Sequence, residues 1–202
     1  LHLCHHNLET IETTSTRSTD TLLAEVCYAA KYEGASLQGQ HGQHQMTNEG
    51  TASQLCTELA RSFADIGDIV RGKDPFYGNT YESARREKLE ENFKKYFQQI
   101  HDDVTSTSDK NGELKTRYNG DKNNDFFQLR EDWWTANRHT VWEAITCNAG
   151  GNKYFRPTCS DGGDSQGPSV AQNQCRCKNK TGASGDVNIV PTYFDYVPQY
   201  LR

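Results

Sequence analysis

The sequence predicts a mainly α-helical, disulfide-bonded fold with long polar loops. Four stretches repeat apolar residues at helical spacing, and seven cysteines punctuate a chain poor in aliphatic side chains. Leu, Ile, Val and Phe together make up 34 of 202 residues, few enough that disorder has to be weighed. A net charge of -5 generates little self-repulsion, and 10 Tyr, 3 Trp and 7 Cys offer aromatic burial and cross-links for a thin core.

The first helix is expected from about Ser18 to Glu33, with Leu22, Leu23, Val26, Cys27 and Ala30 on one face and Gly34 as its stop. The second, about Thr51 to Gly72, opens on a Thr51/Gln54 capping box and carries Leu55, Leu59, Phe63, Ile66 and Val70 as its stripe. The third, about Tyr81 to Asp103, turns Leu89, Phe93, Phe97 and Ile100 inward. Its solvated faces place Glu82 with Arg86, Glu90 with Lys94 and Glu91 with Lys95, each four residues apart. The fourth, about Asp125 to Thr146, has Leu129, Trp133, Ala136, Val141 and Ile145 as its inner face, and Gly150-Gly151 follows its end. Residues 34–50, 104–124 and 147–192 lack apolar period and read as loops. The last of these holds four cysteines that would tie it down.

Composition narrows the function. An isoelectric point near 5.8 argues against nucleic acid as a partner, since phosphate binding needs a clustered basic surface. Mean hydropathy is -0.90, and no stretch approaches the roughly 20 apolar residues that span a bilayer. LHLCHHNLET is not a signal peptide, and the tail PTYFDYVPQYLR stops without a turn signal, so a fragment of a longer chain is expected. No GxGxxG, Walker loop, GxSxG or HExxH occurs. Neither an enzyme nor a cofactor is expected.

Cys4, Cys27, Cys56, Cys147, Cys159, Cys175 and Cys177 point to an oxidising compartment. A zinc site from Cys147, Cys159, Cys175 and Cys177 fits poorly, because its first two ligands stand too far apart in sequence. Disulfides are the reading adopted for all seven. Cys175 and Cys177 cannot easily bond each other, so they would pair with Cys147 and Cys159 in an open order. Cys27 and Cys56 are candidates to join the first two helices. Cys4 would then be the odd one, with a partner outside the fragment.

Other constellations read as ordinary structure. His2, His5, His6, His41 and His44 are taken as exposed polar residues, and His101 and His139 have no obvious partner. Asp65 and Asp68 read as a solvated helix face, Trp133 as core and Trp134 as partly exposed beside it. Asn179-Lys180-Thr181 has the form of a glycosylation sequon. Arg85, Arg86, Lys88, Lys94 and Lys95 form a candidate site for a sulfated glycan, diluted by Glu82, Glu87, Glu90 and Glu91.

Several blocks are distinctive: LHLC at the start, LLAEVCYAAKYEG, SQLCTELARSFADIGDI running into VRGKD, WWTANRHTVWEAITCNAGGNKYFR and the ending YFDYVPQYLR. In this order, over essentially the whole chain, they resemble an alpha-type Duffy-binding-like domain of the erythrocyte membrane protein 1 family of Plasmodium falciparum. The four cysteines between the two outer blocks fit a subset of that family. The resemblance implies a helical, disulfide-bonded adhesion module: subdomain 1 (partial, about residues 1–60), subdomain 2 (about 61–202), and a third subdomain missing. It implies display on the surface of the infected erythrocyte as the extracellular part of a membrane protein that varies antigenically. The implied partners are a host-cell receptor or glycan, host antibodies, and an adjacent cysteine-rich interdomain region. The implied role is cytoadhesion or rosetting, or alternatively that of a head domain supporting a neighbouring receptor-binding domain.

Overall fold

The computed structural model describes residues 18–47, 55–74, 80–106, 111–120, 125–154, 156–159, 168–171, 174–177 and 190–202. Five α-helices are present: α1 (Ser18–Thr47), α2 (Leu55–Arg71), α3 (Thr80–Ser106), α4 (Asn111–Arg117) and α5 (Phe127–Ile145). Two short antiparallel strands follow, β1 (Pro157–Cys159) and β2 (Ser169–Val170). Two 3-10 turns, Phe194–Tyr196 and Gln199–Leu201, end the chain. The described residues fall into two compact units, one drawn from those of Ala30–Ile66 and His139–Arg202, the other from those of Ser18–Ala29 and Gly67–Arg138.

The second unit is organised around the C-terminus of α2. There the Lys73 amide donates to the Asp68 carbonyl at 2.8 Å and the Gly72 amide to that of Ile69 at 3.1 Å. Gly72 adopts φ +68°, the left-handed conformation that closes a Schellman motif. The Val70 carbonyl still needs a donor, and Arg130 of α5 supplies it while giving the Ile69 carbonyl a second one. Its Nε lies 2.6 Å from the Val70 oxygen and its Nη2 3.1 Å from that of Ile69. The same guanidinium takes both carboxylate oxygens of Glu90 on α3, at 2.6 and 2.9 Å. It sits 5.7 and 5.5 Å from the Phe93 and Phe97 ring centres and is wholly buried. A side-chain carbon on Gly72 would fall 3.0 Å from this guanidinium, and one on Gly67 would fall 2.8 Å from the Trp134 ring. Arg71 lies on the other side of the helix end. It donates to the Gly67 carbonyl and the Asp68 carboxylate, both at 2.9 Å, with its guanidinium 6.0 Å from the Trp134 ring centre.

Leu89, Phe93, Phe97 and Ile100 of α3 are buried in this unit as their spacing requires, together with Tyr96. Helix α4 arises inside the stretch read as a loop over 104–124. Its end is clamped to α5 by Arg117, which donates twice to Asp132 at 2.6 and 2.7 Å, and by the Tyr118 hydroxyl, which donates to the same carboxylate at 3.0 Å.

In the first unit, Leu55, Leu59, Phe63 and Ile66 of α2 meet Val141, Trp142 and Ile145 of α5 in a buried core. Phe63 and Trp142 pack edge to face at 5.1 Å. The Ser62 hydroxyl satisfies buried Glu33 at 3.0 Å.

Four expectations give way. Helix α1 runs through Gly34 to Thr47, so 34–47 is helix and His41 and His44 lie on it. Gly34 is not a stop: a side-chain carbon there would overlap the Ile145 carbonyl, so glycine permits a close approach to α5. Ala136 is exposed, whereas Arg130, Trp134, Arg138 and Trp142 are buried, so α5 buries a wider face than one stripe predicts. Trp134 is fully buried, because glycine at position 67 opens a seat for its indole. The predicted capping box at Thr51 and Gln54 lies outside the described residues.

Replacing Arg130 with Ala strands the Glu90 carboxylate and the Val70 carbonyl, and should cost about 3 kcal/mol in urea denaturation. Arg130→Lys should recover only part of this, since an ammonium cannot reproduce the fork. The Arg117 guanidinium beside Asp132 holds its carboxyl below the ordinary 3.8. A carboxylate depressed by folding stabilises the fold above its unfolded pKa and loses that contribution as pH falls through its folded one. The stability difference between wild type and Asp132→Asn should therefore be constant above about pH 5 and shrink steadily below about pH 4.

Candidate adhesive surface

Two disulfides fix the first unit. Cys56 on α2 bonds Cys175 with a Cα separation of 5.6 Å, across 119 residues, and Cys159 on β1 bonds Cys177 with a Cα separation of 5.3 Å, across 18 residues. Cys56 is thus bonded to Cys175 and not to Cys27, and Cys147 carries a half-buried free thiol. Sequence spacing favoured near pairs. The fold instead brings Cys175 under α2, where the Trp142 indole donates to its carbonyl at 3.2 Å. Cys4 and Asn179 lie outside the described residues.

The residues flanking Cys175 cap the end of α5. Gln174 donates to the Cys147 carbonyl at 3.2 Å, and Arg176 to the Glu143 carbonyl at 2.7 Å and the Thr146 hydroxyl at 2.8 Å. A cation at a helix C-terminus also complements the helix dipole. With Cys175 and Cys177 both oxidised, neither can serve as a thiolate ligand. Among the described residues no group of three or more His, Cys, Asp or Glu side chains is placed to hold a metal ion.

The five cations singled out on α3 divide into two kinds. Arg86 pairs with Asp74, and Lys94 with Asp125 at 3.0 Å. Glu90 turns to Arg130, so the expected Glu90–Lys94 pair along the helix yields to longer-range partners. Arg85, Lys88 and Lys95 are exposed. At 100° per residue they fall within about 80° of one another around the helix. Asn92 lies within the same arc, and Glu91 borders it. Asp65 and Asp68 are not a solvated face: Asp68 is buried against Arg71, and Asp65 accepts from Arg202 at 2.9 Å.

That last contact positions an aromatic ridge which sequence reasoning saw only as a composition bias. Arg202 is 4 % exposed and also donates to the Val197 carbonyl at 2.8 Å. Asp195 is buried, and Thr158 donates to the Pro191 carbonyl at 2.6 Å. Anchored from within, the two 3-10 turns present Tyr193, Tyr196, Tyr200 and Leu201 outward, Tyr200 at 85 % exposure.

The structure is a helical frame tied by two disulfides, with basic and aromatic side chains exposed, and such cross-links fit an oxidising compartment. Residues 1–202 match the model of the Duffy binding domain, and the chain belongs to that family. It is similar to the crystal structure of the NTS-DBL1(alpha-1) domain of Plasmodium falciparum membrane protein 1 (PfEMP1) from the varO strain. Identity there is 36% and TM-score 0.71, over 99% of this chain and 40% of that one. The PfEMP1 IT4var13 DBLβ domain bound to ICAM-1 is 31% identical with TM-score 0.56, over 72% of this chain and 34% of that one. A second PfEMP1 DBLβ domain, bound to human ICAM-1, shares the fold at 24% identity and TM-score 0.54, over 99% of this chain and 36% of that one. The chain thus spans well under half the length of these structures. No curated protein matches it.

Iodoacetamide applied to the native protein should label Cys147 before reduction and leave Cys56, Cys159, Cys175 and Cys177 unlabelled, as read by peptide mass spectrometry. Replacing Cys56 and Cys175 with Ser removes the long-range bridge and should cost about 4 kcal/mol in denaturant titration.

Proposed function

We propose that this chain is part of a host-cell adhesion module of a variant surface antigen on infected erythrocytes. It would act in cytoadhesion or rosetting by engaging a host cell-surface receptor or glycan. The observation that carries this reading is the match of residues 1–202 to the Duffy binding domain, together with the exposed cations Arg85, Lys88 and Lys95 and the exposed Tyr193 and Tyr196. Tyrosines bring large contact area at low conformational cost and concentrate binding energy at interfaces. Family membership and the 31% identical domain bound to ICAM-1 support the same reading. Duffy-binding-like adhesion domains are not known as enzymes, and the proposed mechanism is recognition without chemistry.

Arg85, Lys88 and Lys95 are proposed as the contacts for a sulfated glycan. Arg86 and Lys94 belong to the fold, through Asp74 and Asp125. We further propose the division into a partial first subdomain to about residue 60 and a second to 202. The neighbours would be a third subdomain and an adjacent cysteine-rich interdomain region, and host antibodies would recognise the polar loops. The proposed location is the extracellular face of the infected erythrocyte. Among the described residues no helix is long and apolar enough to cross a membrane.

A second reading, a head domain that supports a neighbouring receptor-binding domain, is favoured by the net charge of -5 and by the commitment of Arg86 and Lys94 to internal ion pairs. Binding of the complete domain to erythrocytes, endothelial cells, ICAM-1 and heparin separates the two. Adhesion predicts binding that drops at least tenfold when Tyr193, Tyr196 and Tyr200 become Ala. Heparin binding should weaken with salt and with Ala at 85, 88 and 95. A well-folded domain that binds none of the four would establish the supporting role.

A further inference from the structure

Helix α1 contains three glycines in its second half, and they are not equivalent. Gly34 is required, because any side chain would overlap the Ile145 carbonyl. Gly39 and Gly42 are not. Both lie within the helix, and a side-chain carbon on either would meet nothing within 4 Å. Neither close packing nor a left-handed backbone asks for glycine there, and each lowers helix stability relative to Ala. Between Ser36 and Thr47 the sequence SLQGQHGQHQMT offers two large apolar residues, Leu37, which is half-buried, and Met46, which falls half a turn away around the helix. This segment therefore has no apolar stripe to hold it down, and its length is below what stands alone as a helix in water. Its polar attachments include Gln38, which donates to the Asn148 carbonyl just past α5 at 2.6 Å, and His41, 3.8 Å from Glu58 on α2.

We propose that α1 is built in two parts: a fixed half ending at the Gly34 contact, and a strap, residues 36–47, that unwinds by itself while the disulfide-tied remainder stays closed. Closed, the strap covers the Asn148 carbonyl and lies beside Glu58. Open, its twelve residues lengthen from about 18 Å as helix to about 40 Å as extended chain. It then becomes a Gln-, His- and Gly-rich tether. Local opening of this kind draws on segments with little apolar burial, and a partner that grips the extended form shifts the equilibrium toward it.

Hydrogen exchange read by mass spectrometry, on the wild type and on Gly39→Ala/Gly42→Ala, tests the device. In the wild type, amides of 38–47 should exchange at least tenfold faster than those of 59–70. The double variant should slow the strap by about 25-fold, about fivefold for each glycine, while exchange in α2 and the thermal midpoint stay unchanged. Equal protection of the strap and α2 in the wild type would overturn the proposal. So would an alanine pair that slows both segments together and raises the melting midpoint, since α1 would then be one cooperative unit. An alanine pair that changes nothing would overturn it as well.

Discussion

The buried guanidinium of Arg130 is the constraint on which the second unit depends. A cation without exposed surface is tolerated only when every donor finds an acceptor. Here the acceptors are the last carbonyls of α2 and the carboxylate of Glu90. That arrangement fixes α2, α3 and α5 against one another and dictates small residues nearby. Gly72 turns the chain under the guanidinium with a positive φ, and Gly67 admits the Trp134 indole. The second half of the block ADIGDIVRG, from Gly67 to Gly72, is largely spent on this joint. Asp68, Arg71 and the two glycines each answer to a specific neighbour, so drift at any one would leave a buried charge or a steric overlap.

The first unit solves a different problem. Among the described residues of its C-terminal part there are only two short strands and two 3-10 turns, and covalent bonds tie these residues to the helices. The Cys56–Cys175 bridge carries the irregular segment to α2. Gln174 and Arg176, on either side of it, supply the donors that the end of α5 lacks. Cys159–Cys177 then fixes the short hairpin. The ending of the chain is tied to the DIGDI block by Arg202 and Asp65, 137 residues apart. The two most recognisable stretches of the sequence are thus in contact with each other.

Function follows from what these joints leave outside. Charges that look alike in sequence divide by location: Arg71, Arg130 and Arg202 hold the frame, Arg86 and Lys94 are absorbed at its edge, and Arg85, Lys88 and Lys95 face solvent. The tyrosines of the ending follow the same logic. The Asp195 residue and the Arg202 side chain are buried, while Tyr193, Tyr196 and Tyr200 are exposed. A frame this constrained can vary its loops and exposed residues at little cost to folding, which suits a surface that meets other cells.

Much of the fold was legible in the sequence because helical period records burial directly. The faces of α2 and α3 came out as their spacing implied, and the family blocks identified the domain. The sequence could not say which distant residues would meet. Gly34 looks like a helix stop in one dimension and is a helix contact in three, and α1 accordingly runs on. Trp134 looks like a surface neighbour of Trp133 until Gly67 is seen beneath it. Cysteine pairing, the reach of Arg86 to Asp74, and the choice of Asp125 over Glu90 by Lys94 were likewise decided only by tertiary structure. Local pattern sets which face of an element is apolar. Long-range geometry sets which partner a charge or a sulfur reaches, because those interactions depend on distances that sequence separation does not encode.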